Sequence, residues 1–195
     1  MPPWACQDKN TQGVDGVQGP CTRRGLVLLL VGLWPGLAAA QPVPAPPVSP
    51  ADLKAAYLVR FSGFVEWPTP TPPVLVLAVA GAPEVAAALQ HHAAGRQAGG
   101  PELATRAVRT GDPVDDVHLL FVGGPRSYAE SWAMRLQGRP VLLVTDVPEG
   151  LPEGSAINFV HVGERLRFEV SLRALERARL RASARLLGVA VKVVE

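Results

Sequence analysis

Val74-Leu75-Val76-Leu77-Ala78-Val79-Ala80 is an unbroken apolar run, rich in β-branched side chains, with no polar residue at alternate positions. A strand with one wet face would alternate, so this run predicts a central strand covered on both sides. Gly81 ends it. Pro83-Glu84 then opens a helix expected to reach about His92, with Val85 and Leu89 on one face and Ala94-Gly95 as its close. Gly99-Gly100 marks a turn into a second strand near Leu103 to Val108. His118-Leu119-Leu120-Phe121-Val122 is another buried strand, stopped by Gly123-Gly124. From Pro125 a helix places Tyr128, Trp132 and Leu136 on one stripe, and Val141 to Thr145 is the next strand. Strands alternating with helices across short links predict βαβ units and a largely parallel sheet.

Beyond Asp146 the pattern changes. Val147 to Gly154 is a loop with Pro148, Gly150, Pro152 and Gly154. Ala156–Val162 and Arg165–Val170 then predict a hairpin turning at Gly163-Glu164, with Leu166, Phe168 and Val170 on one face and Arg167 and Glu169 on the other. Ser171 is placed to cap a helix over Leu172–Arg177, and a last helix is expected over Ser183–Val191. The reading is an α/β, three-layer αβα domain with a mostly parallel central sheet and a C-terminal antiparallel hairpin at or near its edge.

Upstream, Ser49-Pro50-Ala51-Asp52 carries a cap, a first-turn proline and a first-turn acid. The helix it starts, with Leu53, Ala56, Tyr57, Phe61, Phe64 and Val65 at helical spacing, is expected to stop at Trp67-Pro68. Residues 41–49 hold Pro42, Pro44, Pro46 and Pro47 and predict an extended leader. Before them, Arg23-Arg24, the apolar run Gly25 to Trp34 and the small residues Ala38 and Ala40 make an export signal over 23–40, cleaved after Ala40. Gly25 to Ala40 is shorter than the roughly 20 residues of a membrane span and is broken by Pro35. Residues 1–22 show no apolar period and are expected to be a disordered extension or to lie upstream of the true start, with Val14 or Val17 as alternative first positions.

Cleavage would remove Cys6 and Cys21, so the mature chain would hold no cysteine and must be stable by packing alone. Thiolate catalysis, dithiol redox chemistry and cysteine-held metals are thereby excluded. Losing Lys9, Arg23 and Arg24 with Asp8 and Asp15 lowers the net charge from +2 to +1, which gives no general attraction to nucleic acid. Basic residues do gather at Arg165, Arg167, Arg173, Arg177, Arg179, Arg181 and Arg185.

Chemistry is hard to find in this chain. It has no glycine-rich phosphate loop, nucleophile elbow or paired-histidine metal motif. His91 and His92 are adjacent on a helix and diverge by roughly 100°; His118 and His161 belong to strands. Ser155, Ser171 and Ser183 have no local histidine and carboxylate around them. The expectation is no catalytic residue, no metal and no cofactor. The polar exceptions inside strong β patterns are Asn158, Arg167 and Glu169, which could form an amide–guanidinium–carboxylate network or meet a ligand. Trp67, closing its helix, reads either as packing or as a contact for a partner.

The run Gly154-Ser155-Ala156-Ile157-Asn158-Phe159, followed by Arg165-Leu166-Arg167-Phe168-Glu169-Val170-Ser171-Leu172, resembles the YfiR-like family of small periplasmic proteins. So do Leu53 to Leu58 with Phe61, Phe64 and Val65-Glu66-Trp67-Pro68, the strand His118 to Gly123, Gly138 to Leu142, and the ending Ala178 to Leu187. The likeness spans nearly all of 50–195. It implies a non-enzymatic repressor that binds the periplasmic portion of an inner-membrane diguanylate cyclase and keeps cyclic di-GMP low until envelope stress or redox change releases it. Three departures stand out. Ser171 replaces an asparagine of the family's F-E-I-N-L strand, and Ser183-Ala184 replaces a serine pair. The cysteine pairs that give some relatives redox control have no counterpart after residue 40.

The candidate partner-binding or structural residues are therefore Trp67, Asn158, Arg167, Glu169, Arg181, Ser183 and Arg185. Homodimerisation is left open by the sequence. The competing class is a periplasmic small-molecule binding protein, with its groove at the carboxyl ends of the parallel strands.

Overall fold

In the computed structural model, which describes residues 48–95 and 101–195, the apolar runs become the middle of a sheet. The order is α1 (Pro50–Phe64), β1 (Val65–Glu66), β2 (Val74–Ala80), α2 (Pro83–Ala94), β3 (Glu102–Val108), β4 (Val117–Gly123), α3 (Arg126–Arg135) and β5 (Leu142–Asp146). Then follow β6 (Ile157–Val162), β7 (Arg165–Ser171), α4 (Leu172–Arg177), β8 (Arg181–Ala182), α5 (Ala184–Val189) and β9 (Lys192–Val194). The expected extension, the export signal, all but the end of the proline-rich leader and the Gly99-Gly100 turn lie outside the described residues.

Seven strands pair in the order β3-β2-β4-β5-β6-β7-β9, parallel from β3 through β6. β7 returns antiparallel to β6, and β9 runs parallel to β7. The expected α/β sheet with a C-terminal hairpin is thus what forms. β2 shows why its sequence is apolar throughout. Leu75, Leu77 and Val79 join one core cluster while Ala78 and Ala80 join the other. The first cluster holds α1 (Ala55, Leu58, Phe61), α2 (Val85, Leu89) and Leu175 and Leu186 from α4 and α5. The second holds α3, through Ala129 and Trp132. Right-handed crossovers explain the split: β2 to β3 steps one way along the sheet and β4 to β5 the other, so α2 and α3 fall on opposite faces.

That reversal brings the ends of β2 and β4 together. Gly81 has φ +72°, and a Cβ there would sit 2.2 Å from the Gly123 carbonyl oxygen, so only glycine fits. At the hairpin tip Gly163 is left-handed (φ +60°) and Glu164 is not, the pattern of a type II′ turn, which matches strand twist.

α1 lies over the hairpin. Phe61 stacks with Phe159 at 5.8 Å and meets Phe168 edge-on at 5.0 Å, while Tyr57 reaches both rings at 5.9 Å. Such pairs add about 0.5–1.5 kcal/mol each beyond area burial. Ser49 caps α1 as expected, accepting from the Asp52 amide at 3.0 Å.

Two expectations need correction, while the hairpin lies near the edge as expected. α1 stops at Phe64, not Trp67, because Val65 and Glu66 turn into β1 and pair antiparallel with Ala182 and Arg181 of β8. The last helix does not run from Ser183 to Val191; α5 covers Ala184–Val189, and the chain then extends into β9. The hairpin consequently sits one strand in from the edge, with β9 outermost.

Candidate partner-binding site

The hairpin places the polar exceptions on one side. Strand alternation puts Leu166, Phe168 and Val170 in the α1 cluster, so Arg165, Arg167 and Glu169 point to the opposite face. The register sets Asn158 across from Glu169, Val160 across from Arg167 and Val162 across from Arg165. Lys192 of β9 is the neighbour of Glu169 on its other side.

Asn158 and Glu169 do not bind one another; both hold the β5–β6 loop. Asn158 is fully buried. Its Oδ1 accepts from the Thr145 hydroxyl at 2.9 Å and the Val147 amide at 2.9 Å, and its Nδ2 donates to the Val147 carbonyl at 3.0 Å. Glu169 Oε2 accepts from the Leu151 amide at 3.1 Å. From α3, Arg126 donates to the Gly150 carbonyl at 3.1 Å and ties the loop from its far side. The loop is therefore clamped through backbone groups that would otherwise be buried without partners.

Arg167 stands outside this clamp. Its half-buried side chain makes no hydrogen bond or ion pair with any described residue, and neither do the exposed side chains of Arg165 and Lys192. The three-way network anticipated from the sequence thus reduces to an amide and a carboxylate gripping a loop, with the guanidinium left over. Loop backbone carries no side-chain signature, so Val147 and Leu151 were not identifiable as partners in advance.

The remaining candidates gather elsewhere. Ser183 caps α5, accepting from the Leu186 amide at 3.4 Å, and its own amide donates to the Phe64 carbonyl at 2.9 Å. Arg181 in β8 is exposed opposite Glu66, and Arg185 is exposed on α5. Trp67, just past β1, donates from Nε1 to the Ser62 carbonyl at 3.0 Å and meets His118 edge-on at 6.0 Å. Trp67, Arg181 and Ser183 are therefore drawn together by the β1–β8 pairing, on a group of elements separate from the Arg167 face.

His118 has a structural task. The β2–β4 register shifts between Val76 and Leu77, and the Val76 amide donates to His118 Nδ1 at 3.1 Å. Burial lowers the His118 pKa from its ordinary 6.5, against a smaller upward pull from Asp116. Neutral imidazole is the form this bond requires. Among the hydroxyls, Ser171 accepts from the Ala174 amide at 3.1 Å as the α4 cap, and Ser155 is buried with its Oγ unbonded to any described group. Among the described residues no three His, Cys, Asp or Glu side chains cluster as metal ligands, and no helix is long and apolar enough to cross a membrane.

Two concavities could take a small molecule. One of about 410 Å³ lies between α3 and α4, floored by Ala133, Leu143, Ala156 and Ala174 and rimmed by Arg139 and Arg177. The other, about 540 Å³ and more open, lies at the carboxyl ends of β2 and β3, beside Gly81, Arg109 and Tyr128. The second occupies the position anticipated from strand order; the first does not.

No curated protein matches the chain. A family model described as YfiR/HmsC-like matches residues 51–191, from the first turn of α1 to the residue before β9. With the match covering every element from α1 to α5, in a sheet whose hairpin, caps and aromatic cluster are built from the very residues that carry the likeness, the chain belongs to the YfiR/HmsC-like family.

Proposed function

We propose that this protein is a non-enzymatic periplasmic regulator that binds and represses a membrane-bound signalling protein, a diguanylate cyclase, through the cyclase's periplasmic portion. The observation that carries this reading is the family match over 51–191, which spans the folded domain almost entirely. The chemistry of the chain agrees with it. Ser171 and Ser183 use their hydroxyls as caps and His118 uses its ring nitrogen to receive a backbone amide, so each is committed to the fold. A repressor needs no reaction; it needs only to bind one state of its partner better than another. A coupling of about 1–3 kcal/mol changes output 5- to 150-fold.

The export signal read over 23–40 belongs to this proposal, since only a translocated chain meets the periplasmic side of the cyclase. Deleting the gene should raise cyclic di-GMP, and supplying the chain with its leader intact should lower it again. Unchanged cyclic di-GMP on deletion, under every envelope condition tried, would refute the repressor assignment. The cavity between α3 and α4 favours a second reading, a small-molecule binding protein, because its volume and apolar floor fall within the range of ligand sites. Filling it by Ala174→Leu should abolish ligand-induced thermal stabilisation while leaving cyclic di-GMP control unchanged if the two activities are separate.

A further inference from the structure

We infer that the hairpin face turned away from α1 docks an acidic, amphipathic helix of the regulated partner; the inference rests on the regulator reading above and names the partner's chemistry. In a three-layer domain both sheet faces are normally covered, yet among the described residues α3 is the only helix contributing to the second core cluster. Over β6, β7 and β9 that side carries Val160, Val162, Arg165, Arg167, Lys192 and Val194, and none of the three valines belongs to either cluster. Val162 is 55% exposed. Val160 and Val194 are half-buried, and a partly exposed strip of valines between cations suits a partner that completes its burial.

Charge and spacing choose the occupant. Arg165, Arg167 and Lys192 have no anionic partner among the described residues. Glu169, beside Lys192 in the register, has one carboxylate oxygen engaged by the Leu151 amide. Some arginines elsewhere are paired, Arg106 with Asp116 at 2.5 Å and Arg139 with Asp115 at 2.6 Å, and the unpaired Arg173, Arg181 and Arg185 are exposed, whereas Arg167 is half-buried. Residues two apart on a strand repeat every ~6.8 Å, and residues four apart on a helix repeat every ~6 Å, so acids at i and i+4 can meet Arg165 and Arg167 together. The apolar residues between those acids would rest on Val160 and Val162. The face has no aromatic residue of the kind that anchors a surface lying in lipid, which favours a protein partner.

The test uses the full chain in its host with three alleles: gene deletion, R165E/R167E/K192E, and the charge-keeping R165K/R167K. Cyclic di-GMP is measured, together with binding of the purified chain to the purified periplasmic portion of the cyclase across a salt series. Deletion should raise cyclic di-GMP, the triple reversal should match deletion, and the lysine allele should repress. Binding should weaken with salt in the wild type and by on the order of tenfold or more in the reversal. Selected suppressors should convert Glu or Asp to Lys or Arg in one segment of the cyclase. Single R167E serves if the triple variant melts lower than wild type. If deletion raises cyclic di-GMP and the reversal still represses, the docking face is refuted and the regulator reading survives. If deletion changes nothing, both fall. Loss of sedimentation with phosphatidylglycerol vesicles, with cyclase binding retained, would assign the face to lipid and overturn the proposal.

Discussion

Replacing Asn158 by Ala should loosen the β5–β6 loop from its seat and cost about 3 kcal/mol of stability. The figure follows from what the amide holds. The Val147 amide donates to Asn158 Oδ1, and Val147 is fully buried, so water cannot replace that bond without local opening; the Val147 carbonyl loses Nδ2 but keeps the Gly150 amide at 3.2 Å. A buried group left unpaired costs about 1–3 kcal/mol and an ordinary lost hydrogen bond about 0.5–1.5, giving about 1.5–4.5 together. Thr145 loses its bond to Oδ1 but keeps a longer one, 3.3 Å, to the Ile157 carbonyl, so it adds little. Against a total of about 5–15 kcal/mol, such a loss is large, near 10 °C in melting temperature for a domain of this size. Urea denaturation measures it, with Glu169→Gln as the comparison. Glutamine keeps a carbonyl oxygen for the Leu151 amide at a half-buried position, so its cost should stay below about 1 kcal/mol. A loss under about 1 kcal/mol for Asn158→Ala, at an unchanged denaturant slope, would show that the loop does not depend on this clamp.

Three further outcomes are expected. His118→Phe removes the acceptor of the Val76 amide. Because the wild-type histidine is held below its ordinary 6.5 by burial, the unfolded chain binds its proton first; its stabilisation is complete above about pH 6.5 and is lost as pH falls through the lowered folded value. Denaturation midpoints at pH 8 and pH 5 should therefore differ more for wild type than for the variant, and equal slopes would count against the assignment. Gly81→Ala meets the Gly123 carbonyl and a left-handed backbone together, so a cost of about 3 kcal/mol or more is expected in thermal melts. Ser171→Ala should cost about 1 kcal/mol and Ser183→Ala roughly half of that, following cap distances of 3.1 and 3.4 Å; a reversed order in chemical denaturation would contradict the capping argument.

Which parts of the molecule could be read in advance follows from where the information resides. β2 and β4 were legible because strands buried on both faces must be apolar at successive positions, and residues 74–80 and 119–122 are. The β1–β8 pair was not, since two residues on each side carry no period and owe their conformation to each other. β9 is missed, and the expected last helix runs on to Val191, past the end of α5, although Gly188 and the β-branched Val189 and Val191 argue against it. The amphipathic opening of α5, with Leu186 inward, outweighed that signal. Asn158 and Glu169 were visible as polar residues in apolar strands, but what they grip is main chain in a loop defined by its prolines and glycines.

A residue type that recurs in a motif can serve the fold or the partner, and the contacts separate the two here. Tyr57, Phe61, Phe159 and Phe168 form one aromatic cluster, Ser171 and Ser183 are caps, and Asn158 is a loop clamp. Each can be accounted for without a second molecule, so mutating any of them would lower regulation by lowering the amount of folded protein. Arg165, Arg167 and Lys192 have no such account: they satisfy nothing within the described chain, and a folded domain would lose little by exchanging them. Long basic side chains held beside exposed valines cost conformational freedom when ordered, and that cost is offset only if something binds there. The functional surface is thus to be sought among the residues the fold does not require, and the unpaired cations Arg165, Arg167 and Lys192 lie together on one face of the sheet.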